Sequence, residues 1–143
     1  MLREGLVALN GFLRIDAALD DATKMLQAVS DSPRLDAELL LSRALDVSRS
    51  YLFAHPDDEM DADAARRFQT SLTQRAQGMP MAYIAGFREF WSMELIVSPA
   101  TLIPRPETET IIDQALMRLP RREELSVLDL GTGSGAISLA IAR

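Results

Sequence analysis

Three alternating glycines, Gly131-Thr132-Gly133-Ser134-Gly135, sit between the apolar stretch Ser126–Leu130 and a helix-forming stretch from Ala136. No other feature constrains the fold as much. A short buried strand, a glycine turn and a helix together open an α/β unit built on a parallel sheet. Glycine suits such a turn because the turn is tight and because a Cβ would hold the backbone away from a ligand. The first N–H groups of the following helix lack intrahelical partners, so the same place offers free donors. The spacing is neither the G-x-G-x-x-G dinucleotide fingerprint nor a phosphate-binding loop ending in Gly-Lys-Ser/Thr. A single parallel strand has no ladder partner in the chain. The sequence is therefore expected to hold only the truncated start of an α/β, Rossmann-like domain, a half-fold unstable on its own.

The stretch before this turn has a different rhythm. Leu2, Leu6, Leu9 and Leu13 recur at helical spacing, as do Ala18, Ala22, Met25, Leu26 and Val29, with Gly11 and the acidic cluster from Asp16 to Asp21 expected to separate or cap the two segments. Ser32-Pro33 predicts an N-cap with proline in the first turn, opening a helix with Ala37, Leu40, Leu41 and Ala44 on one face. A short helix over Ser48–Ala54, a turn at Pro56-Asp57-Asp58 and a helix capped by Asp61, with Ala65, Phe68, Leu72 and Ala76 as its stripe, complete an all-α bundle. The pattern changes after Gly78. Met79–Gly86 is apolar, and Phe87–Pro104 predicts two short strands broken near Ser92-Met93 and Ser98-Pro99, a β-hairpin linker. Pro106 opens a further helix along Thr108, Ile111, Ile112, Ala115, Leu116 and Leu119, ended by Pro120, with Glu107 and Glu109 in the first turn where the helix dipole favours them. The expected order is a helical domain over residues 1–86, a hairpin over 87–104 and the start of the α/β domain over 105–143.

Charge and composition narrow the chemistry. The first 64 residues carry 13 acidic and 6 basic side chains, and the remainder 8 and 9. An acidic front half repels phosphate, so no direct nucleic-acid binding is expected. With no cysteine and one histidine, His55, no metal site is expected. No window approaches the apolar length of a membrane span, and Met1-Leu2-Arg3-Glu4-Gly5 lacks a secretory pattern, so the expected compartment is the cytosol. His55 and the Arg66-Arg67 pair read as surface residues, and Phe90 and Trp91 as packing residues of the hairpin.

An acidic residue two positions before G-x-G-x-G, here Asp129, is similar to motif I of the class I S-adenosylmethionine methyltransferases. Arg88-Glu89-Phe90-Trp91-Ser92, followed by Val97-Ser98-Pro99-Ala100-Thr101-Leu102-Ile103-Pro104-Arg105-Pro106-Glu107-Thr108-Glu109, closely resembles the peptide chain release factor glutamine N5-methyltransferases. The domain order agrees over nearly the whole chain, least so across the first sixteen residues. The resemblance implies S-adenosylmethionine as cofactor, held by Asp129, Gly131, Thr132, Gly133, Ser134 and Gly135. It implies methylation of the side-chain amide nitrogen of glutamine in the Gly-Gly-Gln motif of class I release factors, with the helical domain recruiting that protein. Arg105 and Glu107 would lie near the substrate. The family's catalytic Asn-Pro-Pro-Tyr motif is expected beyond Arg143, so no catalytic residue is assigned within the chain, and the chain alone is expected to be an inactive monomer. Two other readings stay open. One is an enzyme that methylates a ribosomal-protein glutamine or a nucleic-acid amino group, and the other is a helical module that only docks.

Overall fold

The computed structural model describes residues 13–120 and 125–143. The chain forms two compact units, the first ending at Met79 and the second running from Pro80 to Arg143.

In the first unit, β1 (Leu13–Arg14) leads into α1 (Ile15–Leu26), α2 (Pro33–Leu45) and α3 (Arg49–Ala54), and β2 (Glu59–Met60) precedes α4 (Ala62–Ala76). Helix α1 exists because Ile15, Ala18, Leu19, Ala22 and Leu26 fall on one buried face. Helix α2 packs against α1, α3 and α4. Its Ala37, Leu40, Leu41 and Ala44 are all buried, as their spacing predicts. Ser48 caps α3 by accepting from the Tyr51 N–H, and Asp61 caps α4 by accepting from Ala64 N–H at 2.7 Å.

Several expectations are corrected here. The Leu2, Leu6, Leu9 and Gly11 positions lie outside the described residues, and Leu13 is extended, pairing antiparallel with Met60. Asp16 lies in the first turn of α1 and accepts from the Ala17 N–H at 2.6 Å, while most of the segment before it lies outside the described residues. Asp20 and Asp21 sit further along α1, where Arg34 pairs with Asp20 and Lys24 with Asp21 on the exposed side. Helix α1 ends at Leu26, and both Met25 within it and Val29 beyond it are exposed. The Ser32 side chain does not cap α2. Its own N–H instead donates to Ser30 Oγ at 3.0 Å, while the Ser30 hydroxyl donates to Asp36. Ala64, not Ala65, completes the buried face of α4 with Phe68 and Leu72. Arg66 faces water, but Arg67 also donates to the Ala44 carbonyl at 2.8 and 3.2 Å, satisfying an open acceptor at the end of α2.

In the second unit, α5 (Met81–Ala85) leads through Gly86 into the hairpin of β3 (Phe87–Phe90) and β4 (Met93–Ile96). A 3-10 turn over Pro106–Thr108 then opens α6 (Glu109–Arg118), and α7 (Ala136–Ala142) follows the glycine run. The hairpin pairs Phe87 with Ile96 and Phe90 with Met93 around a two-residue turn. Phe90, Leu95, Ile112, Ala136 and Ala140 form its core, with Trp91, Met93 and Ile141 packed against it. Of the α6 stripe only Ile112 is buried, while Ile111, Leu116 and Met117 are exposed. The expected strand over Ser126–Leu130 does not form, because nothing among the described residues pairs with it, and Leu128 and Leu130 are exposed.

The turn residues Trp91 and Ser92 both have positive φ, 50° and 54°. That is the backbone of a type I′ hairpin, which Asn-Gly fits and a Trp-Ser pair does not. An L-residue in this region costs about 1–2 kcal/mol, and glycine gives back part of that as chain entropy. Ser92→Gly is therefore expected to stabilise the unit by about 0.5–1 kcal/mol, read as a rise in thermal midpoint. A lower midpoint would contradict strain at this position.

Candidate functional site

The glycine run lies between segment 125–129, which has no regular secondary structure, and α7. Gly131, Gly133 and Gly135 take φ values of 77°, 58° and 79°, a left-handed backbone that an L-residue adopts only at a cost. The Gly135 N–H donates to the Thr132 carbonyl at 2.8 Å, closing the turn. Ser138 donates to the Gly135 carbonyl at 3.1 Å, and its Oγ stands 3.3 Å from Thr132 Oγ1. A Cβ on Gly131 would meet no atom within 4 Å, and one on Gly133 would only touch the Gly131 carbonyl at 4.0 Å. Backbone conformation, not crowding inside the chain, dictates glycine at these two positions. Among the described residues, nothing crowds the space beside them. At Gly135 an added Cβ would stand 3.4 Å from Leu139 Cδ1.

Asp129 stands at the mouth of this turn. One carboxylate oxygen, Oδ2, is buried and has no hydrogen-bond partner among the described residues. A buried acceptor without a donor is costly, and a cationic or N–H-bearing ligand would relieve that cost.

Arg105 and Glu107 go to separate surroundings. Arg105 precedes the 3-10 turn and lines an open groove of about 370 Å³ with Tyr83, Arg88, Leu102, Ile103 and Pro104. Tyr83 holds one side of this groove by donating its hydroxyl to the Thr101 carbonyl at 2.6 Å. Glu107 is exposed in the 3-10 turn and does not line that groove. A second cavity, of about 440 Å³, is lined by Glu89, Trp91, Ser92, Glu109 and Arg143. Neither of these two cavities is lined by a residue of the glycine run. Arg88 and Glu109 enter the sequence reading within the family-like runs but are not singled out there as site residues. Arg88 shows no period of its own, and by local pattern Glu109 reads as a helix-dipole residue.

Residues 17–86 match the family model described as the PrmC N-terminal domain. The chain is 57% identical over 109 residues to a protein of Xylella fastidiosa (strain Temecula1 / ATCC 700964) named release factor glutamine methyltransferase, covering 76% of this chain and 40% of that protein. Proteins of the same name from Coxiella burnetii and Escherichia coli are 47% and 48% identical over 130 and 124 residues. These matches cover 91% and 87% of this chain, and 47% and 44% of those proteins. Over most of its length the chain is therefore similar to proteins named release factor glutamine methyltransferase. It spans less than half the length of these curated relatives. The PrmC N-terminal domain match starts two residues into α1 and runs through α5, taking in β2 but not its partner β1. Among the described residues, no helix is long and apolar enough to cross a membrane.

Proposed function

We propose that this chain carries the substrate-recruiting domain and the cofactor turn of an S-adenosylmethionine-dependent enzyme that methylates the glutamine of the Gly-Gly-Gln motif in class I release factors. The observation that carries the reading is the identity of 47–57% to relatives bearing that name, extending over most of the chain. On this reading the glycine run opens a Rossmann-like sheet, the helical unit recruits the release factor, and the enzyme works in the cytosol.

Bound S-adenosylmethionine supplies a methyl group on a positively charged sulfur, which departs readily as a neutral thioether. The residues of this chain fit its amino-acid end. Asp129 Oδ2 is a buried acceptor lacking a donor, suited to an ammonium, and the open space over Gly131 and Gly133 admits the ligand close to the backbone. Thr132 and Ser134 belong to the same turn and would face the bound group. The acceptor nitrogen of a glutamine amide is a weak nucleophile, because its lone pair is delocalised into the carbonyl. The main demand on the enzyme is therefore to orient nitrogen, methyl and sulfur in line. The family places that orientation on an Asn-Pro-Pro-Tyr motif, which does not occur in these 143 residues. Arg105 and Glu107 are assigned to the vicinity of the protein substrate, with Arg105 lining its groove beside Arg88.

The deciding experiment is methyl transfer from labelled S-adenosylmethionine by the intact protein to a class I release factor and to its Gly-Gly-Ala variant. Label on the wild type alone is expected. Label on neither, with transfer to a ribosomal protein or a nucleic acid, would replace this substrate. A charge-assisted hydrogen bond contributes about 1.5–3 kcal/mol, so Asp129→Ala is expected to weaken S-adenosylmethionine binding about 10- to 100-fold by calorimetry. Unchanged affinity would remove Asp129 from the site.

A further inference from the structure

The two-residue turn of the hairpin breaks a local rule and is held from outside. Trp91 and Ser92 both occupy the left-handed region without being glycine. The Trp91 N–H, which points out of the hairpin ladder, donates to Glu109 Oε1 at 2.9 Å. The Ser92 carbonyl accepts from Arg143 at 3.1 Å. Glu109 is the first residue of α6, and Ile112, one turn later, is fully buried against Phe90 and Leu95 of the hairpin and Ala136 and Ala140 of α7. Helix α7 begins where the glycine run ends. A side chain 18 positions away therefore pins the turn, and the element it pins packs on the helix that carries Gly135.

We infer that Glu109 is a positioning residue for the cofactor turn. It clamps the Trp91-Ser92 turn onto the start of α6, and through the Phe90–Ile112–Ala136 core it fixes α7 and the Gly131–Gly135 backbone. The inference rests on the reading of that turn as the S-adenosylmethionine site. Glu109 bonds to the Trp91-Ser92 turn but to no residue of the glycine run. Its effect passes through hairpin packing, and an acceptor oxygen is what the geometry requires of it. Glutamine keeps such an oxygen and alanine does not.

The test compares wild type, Glu109→Gln and Glu109→Ala by amide hydrogen exchange and by S-adenosylmethionine affinity. In Glu109→Ala, exchange at the Trp91 amide is expected to quicken at least tenfold and at Gly135 and Leu139 several-fold. The amides of Ala115 and Leu116 in α6 should keep their protection, which shows that the second unit of the variant is still folded. The dissociation constant for S-adenosylmethionine is expected to rise about tenfold in Glu109→Ala and to stay within twofold in Glu109→Gln. If Gly135 and Leu139 exchange as in wild type while Trp91 does not, the clamp ends at the hairpin and the inference is overturned. Equal affinities across all three proteins overturn it as well. If the wild type does not bind S-adenosylmethionine but the exchange coupling is present, the cofactor reading fails and the mechanical link stands.

Discussion

Phe68→Ala is expected to unfold the helical unit at temperatures the wild type tolerates. Phe68 lies mid-way along α4 and is 1% exposed, and α4 packs against both α2 and α1. Truncating a buried phenylalanine costs about 3–5 kcal/mol, from lost transfer free energy plus the cavity left behind. A domain of this size has about 5–15 kcal/mol in all, so the variant loses a large share of its margin. Urea titration followed by helical circular dichroism should show a midpoint far below wild type with a similar slope. Met117→Ala, at a side chain 70% exposed on α6, should move the midpoint by no more than about 0.5 kcal/mol. Equal shifts from the two substitutions would show that burial does not rank these positions.

The second large effect is electrostatic. Glu38 is 4% exposed inside α2, yet it remains a charged residue because two arginines serve it. Arg34 donates from one turn earlier at 3.0 Å, and Arg49 donates from the first residue of α3 at 2.5 and 3.2 Å. Arg34 also reaches Asp20 on α1 at 2.9 Å, so one chain of charges ties three helices together. Burial pushes the Glu38 carboxyl upward, but the hydrogen bonds from Arg49 and Arg34 outweigh it and hold the group below its ordinary range. Breaking a fully buried pair costs about 3–5 kcal/mol, but here both arginines are 45% exposed and regain water, so Glu38→Ala is expected to cost about 2–3 kcal/mol.

The sign with pH follows directly. A carboxyl depressed in the folded state contributes its full stability above its unfolded value, near 4.5 for Glu38, and loses it as pH falls through the lower folded value. Asp61, whose carboxylate accepts from the Ala64 N–H, and Asp16, held by Arg14, are depressed as well and act in the same direction. The thermal midpoint should be flat from neutral pH down to about 5 and fall below about 4. In Glu38→Gln the curve should start lower and fall less, so the two proteins converge in acid. Parallel curves would show that Glu38 does not contribute to the acid transition.

Which parts of this structure could be read from the sequence follows the range of the forces involved. Helices α2 and α4 carry their faces in the spacing of Leu40, Leu41, Phe68 and Leu72, and Asp61 marks the start of α4 locally. The hairpin showed in its apolar, aperiodic composition. The β1–β2 pairing did not, because two residues carry no period and their partners are 45 or more positions away. Helix α5 is a single turn of five residues and was legible only as an apolar stretch. The Ser126–Leu130 segment reads as a strand from its side chains, but a strand is completed by a neighbour, and none of the described residues provides one. In the candidate site, the glycines declare their turn through composition alone. The buried, unpaired oxygen of Asp129 and the bond from Trp91 to Glu109 depend on burial and on distant packing, which no local window encodes.

The short pairing of β1 with β2 has a kinetic consequence. Leu13 and Arg14 are zipped to Met60 and Glu59, the Ile15 and Asp16 N–H groups donate to the carbonyls of Asp58 and Pro56 at 3.0 Å, and Arg14 pairs with Asp57. This clasp closes a loop that contains α1, α2 and α3, and ring closure over that many residues is slow to gain and contributes few contacts of its own. It should therefore be the last element of the helical unit to form and the first to open. A protease acting on the native ensemble would find its earliest cut at the Pro56–Glu59 edge of that clasp.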